Sequence, residues 1–435
     1  MKLTVPNRPS FDKTRENPQP IRSPAVAVLS KNAETLRKIK MVAVAQRADT
    51  LTVTRNLKMA RSAHAYVRGS TAKFYEWLEA SAGKLPEGPP VWICGDCHIG
   101  NLGPLADADG NVAIQIRDLD QTVIGNPAHD LIRLGLSLAS AARGSDLPGV
   151  VTARIIEQVV SGYVRGLSGD FAPDAKKDRP KMIQSLMRQS LKRRWRHLAA
   201  ERLQSVKPVI PLGKRFWPLS AAERSALTQL FAEPAVARMV TLLQGRAETD
   251  AVTMLDAAYW SKGCSSLGRL RFAVMLRVGA GKGAAFCLVD VKEAVSAAAP
   301  RYADVAMPRD NAARVVAGAR ALSPHLGERM IAARLLGRGV VLRELMPQDL
   351  KFEIGRMQPE EATEIAAYLA AVVGVAHARQ MEPATRGAWC AELAKATSTT
   401  LDAPSWLWSN IVELLAIHEQ AYLEHCRRFA LAVAA

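Results

Sequence analysis

The string Gly95-Asp96-Cys97-His98-Ile99-Gly100-Asn101 sets an aspartate and an asparagine five positions apart, and Asp118 follows on the next apolar run. A carboxylate that can orient a hydroxyl, followed by amide and carboxylate oxygens that suit a divalent cation, is what phosphoryl transfer asks of a protein. The reaction needs little covalent help. It needs the nucleotide phosphates held, their charge neutralised by magnesium, and the acceptor hydroxyl positioned. Asp96 suits the role of base. Asn101 and Asp118 suit that of metal ligands, with Asp120 able to join them. Two further pieces come much later in the chain. Gly263-Cys264-Ser265-Ser266-Leu267-Gly268 precedes an apolar strand, so Gly263, Ser265, Ser266 and Gly268 can fold over phosphates and offer backbone N–H groups. Lys292 lies on the strand Cys287-Leu288-Val289-Asp290-Val291-Lys292-Glu293 and can reach α- and β-phosphates as a point charge. Taken singly, a Gly-Asp turn, a glycine pair between strands and a strand lysine are commonplace. Their joint occurrence carries the reading.

The spacing after Asp118 sharpens it. Asp118-Leu119-Asp120 is followed by Gly125-Asn126-Pro127 and then Asp130-Leu131. This resembles aminoglycoside phosphotransferase-like kinases. That resemblance implies Asp96 as catalytic base, Asn101 and Asp118 as metal ligands, and Asp130 as a carboxylate bracing the loop. Most of the chain beyond its first few dozen residues also resembles the bacterial family called domain of unknown function 2252. The resemblance runs through Lys58-Met59, Tyr66–Ser70, Gly95–Asn101, Asp118–Asp130, Gly263–Gly268 and Val291–Ala294. It continues through Arg314-Val315-Val316 and Val341–Leu345 to Ala376-His377-Ala378-Arg379. It implies a kinase-like fold. The order of parts is inverted, with the base and metal loops first and the glycine turn and lysine second. A circular permutation of a two-lobed kinase accounts for this, because chain ends that lie close together allow recutting at surface loops. Glu344, near the hinge, is then a candidate contact to the nucleotide base. Three departures stand out. Cys94 replaces the usual histidine before Gly-Asp, Ser265 replaces a middle glycine, and no helix glutamate is evident to pair with Lys292.

The expected fold is α+β, with a small antiparallel-sheet lobe and a large, mainly helical lobe. Residues 1–29 form an arm, 30–248 the large lobe, 249–350 the small lobe, and 351–435 helices that complete the large lobe. Helical spacing runs from Ala33 to about Ala82 with a break near Arg68-Gly69-Ser70, resumes at Pro127, and returns past Pro359. Val91–Cys94 and Val112–Ile116 read as a hairpin-like unit presenting Asp96 and Asn101 at one edge and Asp118 at the other. Val252–Trp260, Leu270–Leu276, Phe286–Val291 and Val340–Leu345 read as a small sheet, with a helix at Asn311–Leu322 inserted.

A chain of 435 residues with a formal net charge of +17 favours anionic partners: nucleotides, phosphorylated metabolites, nucleic acid or acidic lipid. Much of that charge sits in Lys176–Arg215, which is either a solvated helix face or a docking surface for an anion. Cys94 and Cys97 form one Cys-x-x-Cys beside His98, but a closed zinc site needs two more ligands and no second pair exists. No apolar run is long enough to span a bilayer, and the polar, proline-bearing N-terminus reads as cytoplasmic. The expectation is an ATP- and Mg-dependent phosphotransferase acting on a small anionic or hydroxyl-bearing acceptor. AMP transfer by the same residues, a nucleotide-binding pseudokinase and a basic nucleic-acid-binding protein are the rivals.

Overall fold

Ser62 caps the second of three short helices that open the fold, its hydroxyl accepting from the Ala65 N–H at 3.1 Å. These are α1 (Arg47–Met59), α2 (Ala63–Gly69) and α3 (Thr71–Ala80). The computed structural model describes residues 42–81, 85–173, 175–203, 208–243, 246–262, 268–350, 358–395 and 403–431. Four short strands follow, β1 (Val91–Ile93), β2 (Leu102–Ala106), β3 (Val112–Ile116) and β4 (Val123–Gly125). They form two antiparallel pairs, β1 with β4 and β2 with β3. The single hairpin of 91–94 with 112–116 is therefore corrected. The partners missed were Leu102–Ala106, disguised by Gly103 and Pro104, and a three-residue β4 too short to announce itself.

Helix α4 (Ala128–Gly144) starts behind Pro127 and is buried on every side through Ala142, so it forms the axis of the helical body. Helix α5 (Gly149–Ser168) packs beside it. Next come α6 (Lys181–Lys192) and α7 (Trp195–Leu203), then β5 (Phe216–Trp217), α8 (Ala221–Ala232) and α9 (Pro234–Thr241). The remaining strands are β6 (Val252–Trp260), β7 (Arg271–Val278) and β8 (Ala285–Glu293). Helix α10 (Asn311–Leu322) precedes β9 (Met330–Leu335) and β10 (Arg338–Glu344). Together they make one antiparallel sheet in the order β5-β6-β7-β8-β10-β9.

Alternation along β8 separates the two faces of this sheet. Cys287, Val289 and Val291 pack with Phe272, Val274 and Leu342 against Leu227, Leu230 and Phe231 of α8. Leu288 packs on the other face with Ala273, Met275 and Leu198 of α7. The chain thus joins the sheet unit from β5 onward, ahead of the boundary at 249 suggested by the change of residue period; α8 and α9 are helical and still belong to it. Strand β9 was also unforeseen. Its two-residue connection to β10, Leu336-Gly337, has φ of 51° and 75°. That is hairpin geometry normally signalled by Asn-Gly, and leucine in the first position hides it.

Helices α11 (Pro359–Ala378), α12 (Pro383–Ala394) and α13 (Ser405–His425) return to the body. Helices α5 and α11 cross backbone to backbone. A Cβ on Gly162 would lie 2.1 Å from the Ala367 carbonyl oxygen, one on Gly166 2.3 Å from that of Ala371, and one on Gly374 2.3 Å from that of Tyr163. Among the described residues no helix is long and apolar enough to cross a membrane.

Gly374→Ala should force these helices apart and cost roughly 1–3 kcal/mol in urea unfolding. Gly387→Ala, in open space on α12, should be neutral or stabilise by up to about 1 kcal/mol. Equal behaviour of the two variants would remove the close crossing as a determinant of the fold.

Candidate active site

The loop after β1 must turn sharply to carry Asp96 out of the core. Gly95 makes this turn at φ 72°, where a Cβ would sit 2.2 Å from the Gln121 carbonyl oxygen. The turn leaves two adjacent N–H groups facing inward. Both are met by Asp130 near the start of α4, which accepts from Cys94 at 2.7 Å and from Gly95 at 2.9 Å. Asp130 also lies 3.2 Å from His377 Nε2, at the end of α11. The other ring nitrogen of His377 is 2.9 Å from the Tyr163 hydroxyl, which in turn accepts from Trp389 Nε1 at 3.2 Å. Every member of this chain is buried.

Asp96 itself lies in the cleft with 13% of its side chain exposed. It accepts from Arg133 Nε at 2.9 Å, and Arg133 also donates to the Val67 carbonyl. Burial raises the Asp96 carboxyl above its ordinary value, against the pull of the Arg133 guanidinium. Asn101 donates its amide to the Asp96 carbonyl at 3.0 Å. Asp118 follows β3 and is reached by Lys292 Nζ of β8 at 3.4 Å; the same ammonium also pairs with Asp120. Burial alone would push Asp118 up, but Lys292, with Arg343 and Arg271 beyond it, holds it well below the usual carboxylate range. Asp120 moves the other way, raised by burial and then by the charge of Asp118. Arg314 of α10 fastens this segment by donating to the carbonyls of Asp120, Thr122 and Val295.

Asp96, Asn101 and Asp118 thus line one cleft of about 420 Å³ between the helical body and the sheet, together with Arg271 and Arg343. Gly263, Ser265 and Ser266 lie outside the described residues. Gly268 is described, with φ 93°. Glu344 ends β10 and is buried. Arg246 donates to its carboxylate at 2.6 and 2.9 Å, and its carbonyl accepts from Arg329 at 2.8 Å.

Several residues of the site escaped sequence reasoning. Arg271 grips Asp290 through two bonds of 2.9 and 2.6 Å, and Arg343 and Lys262 approach the same carboxylate at 3.6 and 3.8 Å. Asp290 between two valines was the available signal, as was Arg133 within an apolar helix. The basic stretch Lys176–Arg215 is partly built into the cleft. Ser190 and Arg193 hold the carbonyls of Gln348 and Pro347, and Leu198 and Arg202 line the wall. Cys94, Cys97 and Asp130 present ligand-type atoms within 4.8 Å of one another. The Asp130 oxygens are already occupied by the loop amides and His377, which leaves two thiols and no closed ligand set.

Removing Asp130 strands both loop amides, each a buried group worth roughly 1–3 kcal/mol. Asp130→Ala should therefore destabilise by at least about 2 kcal/mol in urea unfolding, and His377→Ala by less; a silent Asp130→Ala would show that the loop holds itself.

No curated protein and no solved structure gives a match to the chain. A family model does, described as an uncharacterized protein conserved in bacteria, DUF2252; it covers residues 47–428. That range takes in the loops bearing Asp96 and Asp118 and the sheet bearing Lys292, and the chain belongs to the DUF2252 family.

Proposed function

We propose that the protein is an ATP- and magnesium-dependent phosphotransferase whose nucleotide occupies the cleft between sheet and helical body, in a circularly permuted kinase-like arrangement. One observation carries the reading. Lys292 Nζ lies 3.4 Å from Asp118, across 174 positions of sequence, so the two candidate halves are in contact at the edge of the cleft. The order of parts supports it. In sequence the glycine-bearing stretch 263–268 falls between β6 and β7, the lysine is on β8, a helix intervenes, and the helices of the body follow β10. His377, on a helix that follows the sheet in sequence, braces the loop of Asp96.

The chemistry follows from the side chains. The acceptor hydroxyl oxygen attacks the γ-phosphorus of ATP, the bond to the β-phosphate bridging oxygen breaks, ADP leaves, and the hydroxyl proton passes to Asp96. Arg133 keeps the Asp96 carboxylate oriented. The side-chain oxygen Oδ1 of Asn101 has no hydrogen-bond partner among the described residues, and Asp118 keeps 38% of its side chain exposed. These two hard oxygen donors fit magnesium, which would neutralise phosphate charge. Lys292 can exchange its carboxylate partners for phosphate oxygens. Glu344 is committed to Arg246, which follows α9 within the sheet unit. A nucleotide base would instead meet the apolar side chains of Leu345, Met346, Leu105 and Leu198, which line the same cleft.

In the assay, γ-labelled and α-labelled ATP are supplied with magnesium and a panel of hydroxyl compounds. Transfer of γ-label supports the proposal; transfer of α-label alone would make the protein an AMP transferase. Asp118→Ala should abolish the magnesium-dependent thermal stabilisation by ATP, and an unchanged shift would sink the reading. Asp96→Asn should keep that stabilisation while losing about 10²–10⁴-fold in turnover.

The base must be unprotonated to work, and Asp96 is raised above the ordinary aspartate value. Turnover should therefore fall as pH drops through that raised value, giving an acid limb displaced upward from an unperturbed aspartate. A rate flat down to the ordinary aspartate range would remove Asp96 as the base.

A further inference from the structure

The charge of the cleft exceeds what nucleotide binding uses. Its lining counts eight cationic side chains against three carboxylates. On the sheet side, Arg271 and Arg343 already face Asp290. On the opposite wall, α1, α2 and the turn between them supply Lys58, Arg61 and Arg68 beside Asp96. Neither Arg61 nor Arg68 forms an ion pair with another described residue. Arg68 lies across the Asp96 loop so closely that a Cβ on Gly100 would fall 2.9 Å from its guanidinium carbon, and its Nε is buried without a hydrogen-bond partner. His98, only 4% exposed, lines the same wall and leaves Nδ1 without a partner. Burial, and then the charges of Arg68 and Arg133, push the His64 imidazole down to about 4. Two guanidinium groups with no ion-pair partner among the described residues, and buried nitrogens left stranded beside them, are arranged for an anion that arrives from solution.

We propose that Arg61 and Arg68, with Lys58 beside them, hold a phosphomonoester on a small acceptor whose free hydroxyl is thereby presented to Asp96. Planar guanidinium forks grip a phosphate through paired bonds, and several cations together match a dianion better than a carboxylate. The same wall repels a cationic acceptor. The hydroxyl's fate rests on the phosphotransferase reading, whereas the anchoring of phosphate does not.

Titration calorimetry on the full chain, without nucleotide and at fixed ionic strength, separates the two. The probes are glycerol 3-phosphate, glycerate and glycerol, together with ribose 5-phosphate and ribose. At least one phosphate ester should bind ten-fold or more tighter than its neutral alcohol, and glycerol 3-phosphate tighter than glycerate. Arg61→Gln, an exposed change that leaves folding intact, should weaken that ester several-fold. The double variant R61Q/R68Q should weaken it at least ten-fold while keeping the thermal shift with ATP and magnesium. Lys292→Met should do the reverse. Phosphate-ester binding that survives R61Q/R68Q and is lost in Lys292→Met would overturn the assignment, as would equal binding of ester and alcohol or no binding of either ester. An absent ATP shift with ester binding still dependent on Arg61 and Arg68 would instead overturn the phosphotransferase reading and leave the anion site standing.

Discussion

Two adjacent backbone amides, those of Cys94 and Gly95, converge on the carboxylate of Asp130, and the geometry of the cleft depends on that convergence. Buried N–H groups must be paired, and a turn that exposes two of them to the same side is best met by an anion. Helix α4 supplies it in its first turn, where the helix dipole also favours negative charge. His377 approaches the same carboxylate from 247 positions away, so the loop that carries Asp96 is shaped by tertiary structure. The close α5–α11 crossing has its purpose here: without glycines at the crossing, Tyr163 and His377 would not meet.

The opposite wall is governed by strand register. Arg271 stands directly opposite Lys292, and Arg343 opposite Asp290. A one-residue slip of β8 would turn Asp290 and Lys292 into the apolar layer beneath α8 and bring valines into the cleft. The buried Arg271–Asp290 pair is not a large source of stability, since desolvation offsets much of its attraction. Its effect is orientation. Asp290 draws Arg271, Arg343 and Lys262 toward one point and leaves Lys292 turned to Asp118 and Asp120.

These two walls explain what was legible in the sequence. Asp96, Asn101, Asp118 and Lys292 could be found because each lies on or beside an apolar run short enough to read as a strand, and the helix expected at Asn311–Leu322 is present over those residues, its N-terminus capped by Asp310. Arg133 and Asp290 are chemically as central, yet a single charge in an apolar run gives no indication of its partner. Strand β9 was hidden by its alanines and by Leu336 in a left-handed turn position. The pairing of β1 with β4, in place of β3, depends on which strands the body brings together, and no local pattern records that.

Charge balance at Asp118 and Asp120 links the proposed steps to one another. Two neighbouring carboxylates repel, and the structure divides the strain unevenly, depressing one and raising the other, with a single ammonium serving both. If nucleotide phosphates draw Lys292 away, that pair loses its counter-ion and its affinity for a divalent cation rises. If the cation arrives first, Lys292 is displaced toward the phosphates. On the proposed reading each ligand would favour the other in either order, because the coupling would belong to the shared ammonium and be reciprocal by thermodynamic necessity. The acceptor wall stands outside this exchange. Arg61 and Arg68 have no carboxylate to release among the described residues, so an anionic acceptor of the proposed kind would meet charge that neither nucleotide nor metal has to uncover.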